Sequence, residues 1–529
     1  MSLDGMLRKK IHRRGVWAAV CAVLLLARLG VEGAGMMAQS PDESHAAALT
    51  VTSRLVVLDV VVLDSKGNVV PGLDKSQFTV YEDKVEQRIR NFEGPKDHVM
   101  PKAGENVVHN TADLAKIGNA PVNVIVIDEL NTPFSDTARA QQAMRHFLEK
   151  QPEVLEVPTL FLASGASRVT VLHDFTQSRA DLLESMKKHV TDVDFRALTN
   201  QLNGGSMAPA DGFAKTLGAL SEVASSVRGI PGRKNVIWVG TGFDNAYDLT
   251  SASDSDAQKI ADALELVTRR MLDARMSVST LDPTGMDASA MVEDVADEAT
   301  SGGGPITSID FAEDVSFDKL AQSTGGTVVH GLNDLDHLIA TDASRAADFY
   351  TLTYTPSAAS EAAQAYRNIR VVMKDPNLHA VTRTGYFEGA EKEAPVTPSN
   401  PKTQSREFKF DLMTAGGSRL VYTGLRVTAE KEGDGYRVFV EAGDLDWTRQ
   451  PDGMRIAELS VVGAAFNNKD KVLRQDAEEF KERIHEGDQP NGKQVNVRFA
   501  MAVPAGAARV RFVVRDAGTG KMGSVDLTP

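Results

Sequence analysis

The sequence predicts an α/β protein: a doubly wound, mainly parallel sheet flanked by a small N-terminal β module and a C-terminal β-sandwich. Three observations lead there. The run Val122-Asn-Val-Ile-Val-Ile-Asp128 is continuous and mostly β-branched, the composition of a strand buried on both faces of a parallel sheet. Strand-like and helix-like patterns alternate from Val122 to about Thr341, as they do when helices cover both faces of such a sheet. On either side of this region alternating strand patterns dominate.

At 529 residues the chain exceeds one ordinary domain, and a prior of roughly 150 residues per domain suggests about three units and a leader. Residues 1–35 have the layout of a secretory signal peptide. Arg8-Lys-Lys10 and Arg13-Arg14 precede the apolar run Val16 to Ala27, and the small residues Gly33-Ala34-Gly35 follow. An uncleaved N-terminal anchor is the alternative. No later run is long enough to span a bilayer, so no transmembrane segment is expected once the signal is removed. Export places the protein in the periplasm or outside the cell.

Residues 49–93 alternate and turn like paired strands and are expected to form the N-terminal β module, with Leu55 to Leu63, Phe78 to Tyr81 and Ile89 to Phe92 as its strands. Residues 94–119 are polar and read as a linker. The α/β domain spans 120–345. Its strand candidates are Val122 to Ile127, Thr159 to Ala163, Val169 to Leu172, Asn235 to Val239 and Ser277 to Leu281. Helical spacing of apolar residues marks Ala140, Met144, Phe147 and Leu148; Phe213, Leu217, Leu220, Ala224 and Val227; and Ile260, Ala263, Leu264, Val267 and Met271 as core stripes. Residues 346–387 look like a β extension of this region. A second linker, 388–404, precedes the C-terminal β-sandwich at 405–529, whose strands are interrupted by a charged, helix-like segment from Asp476 to Ile484.

Composition excludes several chemistries. The single cysteine, Cys21, lies inside the leader, so the mature chain has no thiol for catalysis or zinc. The net charge of −14 becomes −18 when the basic leader is removed, which repels nucleic acid. Gly487 to Lys493 has the spacing of a phosphate loop, but Gln494 stands where Ser or Thr is needed and a charged helix is expected before it, so a hairpin turn is the better reading. Gly518 to Gly523 reads as a turn between the terminal strands. No Gly-x-Ser-x-Gly elbow and no His-Glu-x-x-His occurs. His173 and His330 read as surface or packed residues. No catalytic residue and no cofactor-binding motif is assigned.

Ligands of open α/β sheets sit at the carboxyl ends of the strands, which puts Asp128 where a site is expected. The stretches Val69-Val-Pro-Gly-Leu-Asp-Lys-Ser-Gln-Phe78, Asp128-Glu-Leu-Asn-Thr-Pro-Phe134, Asp174-Phe-Thr176, Gly232-Arg-Lys-Asn-Val-Ile-Trp-Val-Gly240 and Leu320-Ala-Gln-Ser-Thr-Gly-Gly326 occur in order over residues 50–387. On these the chain resembles the von Willebrand factor type A (vWA) family, in the acidobacterial type of exported proteins, with a Rossmann-like sheet. The resemblance implies a divalent cation held by Asp-x-Ser-x-Ser, a loop hydroxyl and a later aspartate. Asp128 keeps the carboxylate, Leu130 replaces the first serine, Thr132 stands for the second, Ser206 matches the loop hydroxyl, and Gly242 replaces the aspartate, with Asp244 close by. The expected metal set, for Mg²⁺ or Ca²⁺, is therefore Asp128, Thr132, Ser206 and Asp244, a degenerate metal-ion-dependent adhesion site. Without a metal, Asp128 is expected to cap the helix beginning near Ser135.

Asn131 and the acidic loop carrying Asp254 and Asp256 are candidate partner contacts. The expected function is non-enzymatic recognition or adhesion in the cell envelope, toward a protein or surface polymer. The alternatives are a structural spacer in an envelope assembly and, further off, a hydrolase using Asp128 and His173.

Overall fold

The computed structural model describes residues 55–98, 107–165, 169–189, 191, 209–243, 254–284, 316–330, 334–345, 347–356, 366–387 and 412–529. The leader, Ser206 and Asp244 lie outside the described residues. The first strands are β1 (Val56–Leu63), β2 (Phe78–Glu82), β3 (Val85–Gln87) and β4 (Ile89–Glu93). In β1, Val56, Leu58, Val60 and Val62 are buried in the core that its sheet covers, and both of its edges are hydrogen-bonded to later parts of the chain.

The central sheet is built from β5 (Val122–Asp128), β6 (Val154–Ser164), β7 (Val169–Ser178), β8 (Lys234–Val239), β9 (Met276–Leu281) and β10 (Val328–Val329). Its spatial order is β10-β9-β8-β5-β6-β7. Neighbours run parallel from β10 to β6, and β7 joins the edge antiparallel. Among the described residues six helices accompany it: α1 (Phe134–Lys150), α2 (Arg179–Lys188), α3 (Pro209–Val227), α4 (Asp254–Asp273), α5 (Phe317–Ser323) and α6 (Leu335–Arg345).

Every residue of β5 is buried, and its side chains alternate between two cores as a period of two requires. Val122, Val124 and Val126 pack with Trp238 against α3, α4 and α5. Ile125 and Ile127 pack with Ile237 and Val239 against α1, α2 and α6. The apolar stripes expected from helical spacing supply these faces: Met144, Phe147 and Leu148 on one side, Leu217, Leu220, Leu264 and Met271 on the other.

Beyond α6 come β11 (Tyr350–Tyr354), β12 (Tyr366–Met373), β13 (His379–Val381) and β14 (Gly385–Phe387). Of these, β11 pairs with β1 and β4, β13 with β1 and β12 with β2, while β14 extends β12. One sheet is ordered β13-β1-β11-β4 and a second β14-β12-β2-β3, and they share a core that includes Leu58, Val60, Val80, Tyr350, Leu352 and Val371. The two β stretches that the sequence suggested as a module and an extension are thus hydrogen-bonded into one, assembled from both sides of the α/β region. The segment read as a linker also contributes: Val108, Leu114 and Ile117 enter the central core around a 3-10 turn at Thr111–Lys116. Its polar residues mask this because the apolar ones are spaced singly.

The C-terminal part comprises β15 (Val427–Glu432), β16 (Gly435–Glu441), β17 (Thr448–Arg449), β18 (Met454–Phe466), β19 (Val472–His485), β20 (Gln494–Phe499), β21 (Arg509–Asp516) and β22 (Met522–Leu527). Antiparallel sheets β15-β16-β20 and β17-β18-β21-β22 pack across a common core, with β19 on the other edge of β18. The segment Asp476 to Ile484 is therefore strand and not helix. Its Glu, Lys and Arg favour helix locally, but pairing along the whole of β18 outweighs propensity. Lys481 lies opposite Glu458 and bonds it at 2.6 Å. Gly487 to Lys493 follows a strand and precedes β20, in a different sheet, so it is a connection between sheets and neither a phosphate loop nor a simple hairpin. This part docks on α3: Leu420, Tyr422 and Val513 belong to the central core, and the Thr423 N–H donates to Ser226 O at 3.0 Å.

Candidate functional site

Strand order reverses between β5 and β8, since the chain leaves β5 toward β6 and returns on its other side with β8. Asp128 ends β5 at this point, and Gly240-Thr241-Gly242 follows β8. The Asp128 side chain is completely buried. Its Oδ1 accepts the N–H groups of Leu130 at 3.1 Å and Asn131 at 3.2 Å. Its Oδ2 accepts the Trp238 indole N–H at 3.2 Å, the Gly242 N–H at 3.1 Å and the Asn131 amide at 3.1 Å. Burial pushes the carboxyl group above the usual aspartate range, and the donors from Asn131, Trp238 and Leu130 pull against it.

The loop after Asp128 is fastened at each residue that carries a polar side chain. Glu129 accepts from Gln141 of α1 at 3.2 Å and pairs with His189 at 2.7 Å. The Asn131 amide donates to Thr216 of α3 at 2.9 Å. Thr132 Oγ1 accepts the Thr241 N–H at 3.2 Å. Close approach of backbone to side chain makes this possible: a Cβ on Gly240 would lie 2.3 Å from the Cβ of Asp128 and 2.6 Å from Thr132 Oγ1. Gly242, at φ +65°, has the ring of Phe317 at 2.3 Å from where its Cβ would be.

The described part of the expected set, Asp128 and Thr132 with the loop between them, is not turned toward a divalent cation. A hard cation needs oxygen lone pairs turned toward it, whereas both Asp128 oxygens are taken by N–H donors. Asn131 presents its NH₂ group to Asp128, and Leu130 offers no side-chain oxygen. The aspartate expected at Gly242 is replaced by that residue's own N–H, and no side chain fits there beside Phe317. Among the described residues no group of three or more His, Cys, Asp or Glu is arranged to hold a metal. Of the expected metal set, Asp128 and Thr132 come together; Ser206 and Asp244 lie outside the described residues.

The capping role expected for Asp128 is corrected. Helix α1 begins at Phe134 behind Pro133, with no side-chain cap. Asp128 instead ties its own loop to β8. Asp254 and Asp256 were expected in a loop, but α4 starts at Asp254. His173 sits on the edge strand β7 opposite Phe161, whose neighbour in β5 is Ile125, so it is remote from Asp128. Its neighbour Asp174 binds the N–H and hydroxyl of Thr111, a structural role.

Sequence reasoning missed Trp238, although a buried indole N–H usually finds an acceptor. It also missed the cluster at the ends of β9 and β10, where His330 Nδ1 lies 3.2 Å from Asp282 and Nε2 2.8 Å from Asp318. The two carboxylates raise the imidazole pKa to about 10. The aspartates lie 36 residues apart in the sequence, so no local pattern announces them. Phe134, at the start of α1, is 68% exposed.

No family model matches the chain, and no curated protein does. Among solved structures, two crystal forms of proximal thread matrix protein 1 from the mussel byssus align with TM-score 0.24. Sequence identity is 10% and 11%, over 45% of this chain and 48% and 49% of that one. The chain thus spans about half the length of those proteins, and a likeness this slight assigns neither fold family nor function. The class defined by the geometry is a mixed α/β protein with a six-stranded, largely parallel sheet and several antiparallel sheets. No helix among the described residues is long and apolar enough to cross a membrane.

Proposed function

We propose that this chain is an exported, non-catalytic recognition protein on a doubly wound, von Willebrand factor type A-like domain, and that it binds a protein or surface polymer without a metal. One observation carries the reading: the loop Glu129 to Phe134 sits at the strand-order reversal, locked from beneath by Asp128, with Phe134 turned to solvent at its rim. A rigid loop with an exposed aromatic loses little entropy on binding and offers a contact of the kind that dominates interfaces. The order β10-β9-β8-β5-β6-β7 and the two covered faces support the doubly wound assignment.

A spacer role is the second reading, favoured by the core that runs unbroken from α3 into the C-terminal sheets. Crosslinking capture from intact envelope separates the two. With recognition at the loop, the same partner is captured in EDTA and in Mg²⁺, and Phe134→Asp loses it while thermal stability is unchanged. Capture that persists in Phe134→Asp supports the spacer, and capture abolished by EDTA overturns metal independence.

A further inference from the structure

At the seam between the first pair of sheets and the central sheet lies a cavity of about 30 Å³, lined among others by Asp59, Arg233, Arg275, Ser277 and Arg383. A cavity of ~10–15 Å³ already holds a water molecule, so there is room for one small ion. Three guanidinium groups and a single carboxylate line it. Asp59 is committed to Arg275, whose Nη2 and Nε donate to its two oxygens at 2.5 and 3.1 Å, and it also accepts from Thr351 at 3.1 Å.

That leaves two cations with no carboxylate bonded to them: Asp59 and Asp342 attract Arg233, and Asp59 and Asp273 attract Arg383, only through space. Arg233 is only 5% exposed, donates through Nε and Nη2 to the hydroxyl of Ser277, and its buried Nη1 has no partner. Arg383 donates Nη2 to Val57 O at 3.0 Å, and its buried Nε has none. Neither residue forms a salt bridge among the described residues. An unpaired buried charge is costly, which is why such groups nearly always find a counter-charge. Lys234, also buried, turns its ammonium to the carbonyls of Ile230 and Gly232 and adds no negative charge.

We infer that the cavity between Arg233, Arg275 and Arg383 is a structural binding site for one small monovalent anion of chloride size, which joins the two-sheet module to the central sheet. The anion accepts the free N–H groups of Arg233 and Arg383 and balances the excess positive charge. It is independent of the recognition loop, which lies at the opposite end of β8 from Arg233.

Thermal unfolding of the full chain at fixed ionic strength, with sodium gluconate exchanged stepwise for sodium chloride, tests this, because gluconate is too large to enter. The midpoint is expected to rise by on the order of 1–2 °C per tenfold increase in chloride once the site fills, and Arg233→Met should abolish the dependence. Crystals of the unaltered protein soaked in bromide should show anomalous density between Arg233 and Arg383, a readout that needs no variant to fold. Equal midpoints in both salts, an undiminished chloride response in Arg233→Met, or water in place of bromide would overturn the inference.

Discussion

Trp238 donates its indole N–H to Asp128 across 3.2 Å, tying the end of β8 to the end of β5 inside a fully buried pocket. Trp238→Phe leaves an aromatic ring, smaller than the indole, beside Phe317 and removes this donor. Oδ2 then keeps only the Gly242 and Asn131 donors, and losing one hydrogen bond to a buried carboxylate is expected to cost about 1–3 kcal/mol. Asp128→Ala, which orphans every donor at once, should cost more. Urea unfolding of both variants measures the order; a Trp238→Phe variant as stable as the parent would mean that the hydrogen bond contributes nothing.

The packing of Gly240 on Asp128 and Thr132 predicts a steric effect separate from the electrostatic one. In Gly240→Ala the methyl group has no room unless the two strand ends part. Destabilisation of about 1–3 kcal/mol is expected, as for other overpacked sites. Amide exchange should accelerate in residues 129–132 before it does so elsewhere.

His330 between Asp282 and Asp318 makes stability depend on pH. Its folded pKa of about 10 exceeds the ordinary value of 6.5, so the stabilisation is fully present below pH 6.5. It declines as the pH rises and is lost above about pH 10. The side chain is about half exposed, so solvent screening reduces the effect. The difference in urea midpoint between the parent and His330→Gln should be largest at pH 6 and vanish near pH 10.5; a difference independent of pH would remove the ion pairs from the account.

Tyr422 links the C-terminal sheets to α3. It is 2% exposed in the central core, and Arg228 Nη1 nearby donates to Thr519 O at 2.9 Å. Calorimetry should therefore show the central and C-terminal parts unfolding together. Tyr422→Ala is expected to cost about 3–5 kcal/mol, as large aromatic truncations do, and to lower both. Two well-separated transitions in the parent would contradict this coupling.

How much of this was legible follows from which interactions are local. Val122 to Asp128 announces its buried strand because all seven residues are buried and five of them supply two cores. The stripes of α1, α3 and α4 are equally plain. By contrast, β19 hides behind good helix formers, because what makes it a strand is the register with β18. At the site, Asp128 and Thr132 were found by position along the chain, but their actual partners, Trp238, Thr241 and Gly242, arrive from another strand. Backbone N–H groups leave no mark in a sequence, so a carboxylate held by them reads the same as one waiting for a cation.

The pairing of β1 with β11 and β13 sets an order of events during synthesis. Thr351 meets Asp59 from 292 residues away, so β1 emerges long before either of its neighbours exists. An apolar strand with two bare edges invites pairing with other chains until residues 350–381 follow. Contacts so distant in sequence slow folding. The earliest of the described strands is thus among the last to find its place, exposed to pairing with other chains for as long as its partners are missing.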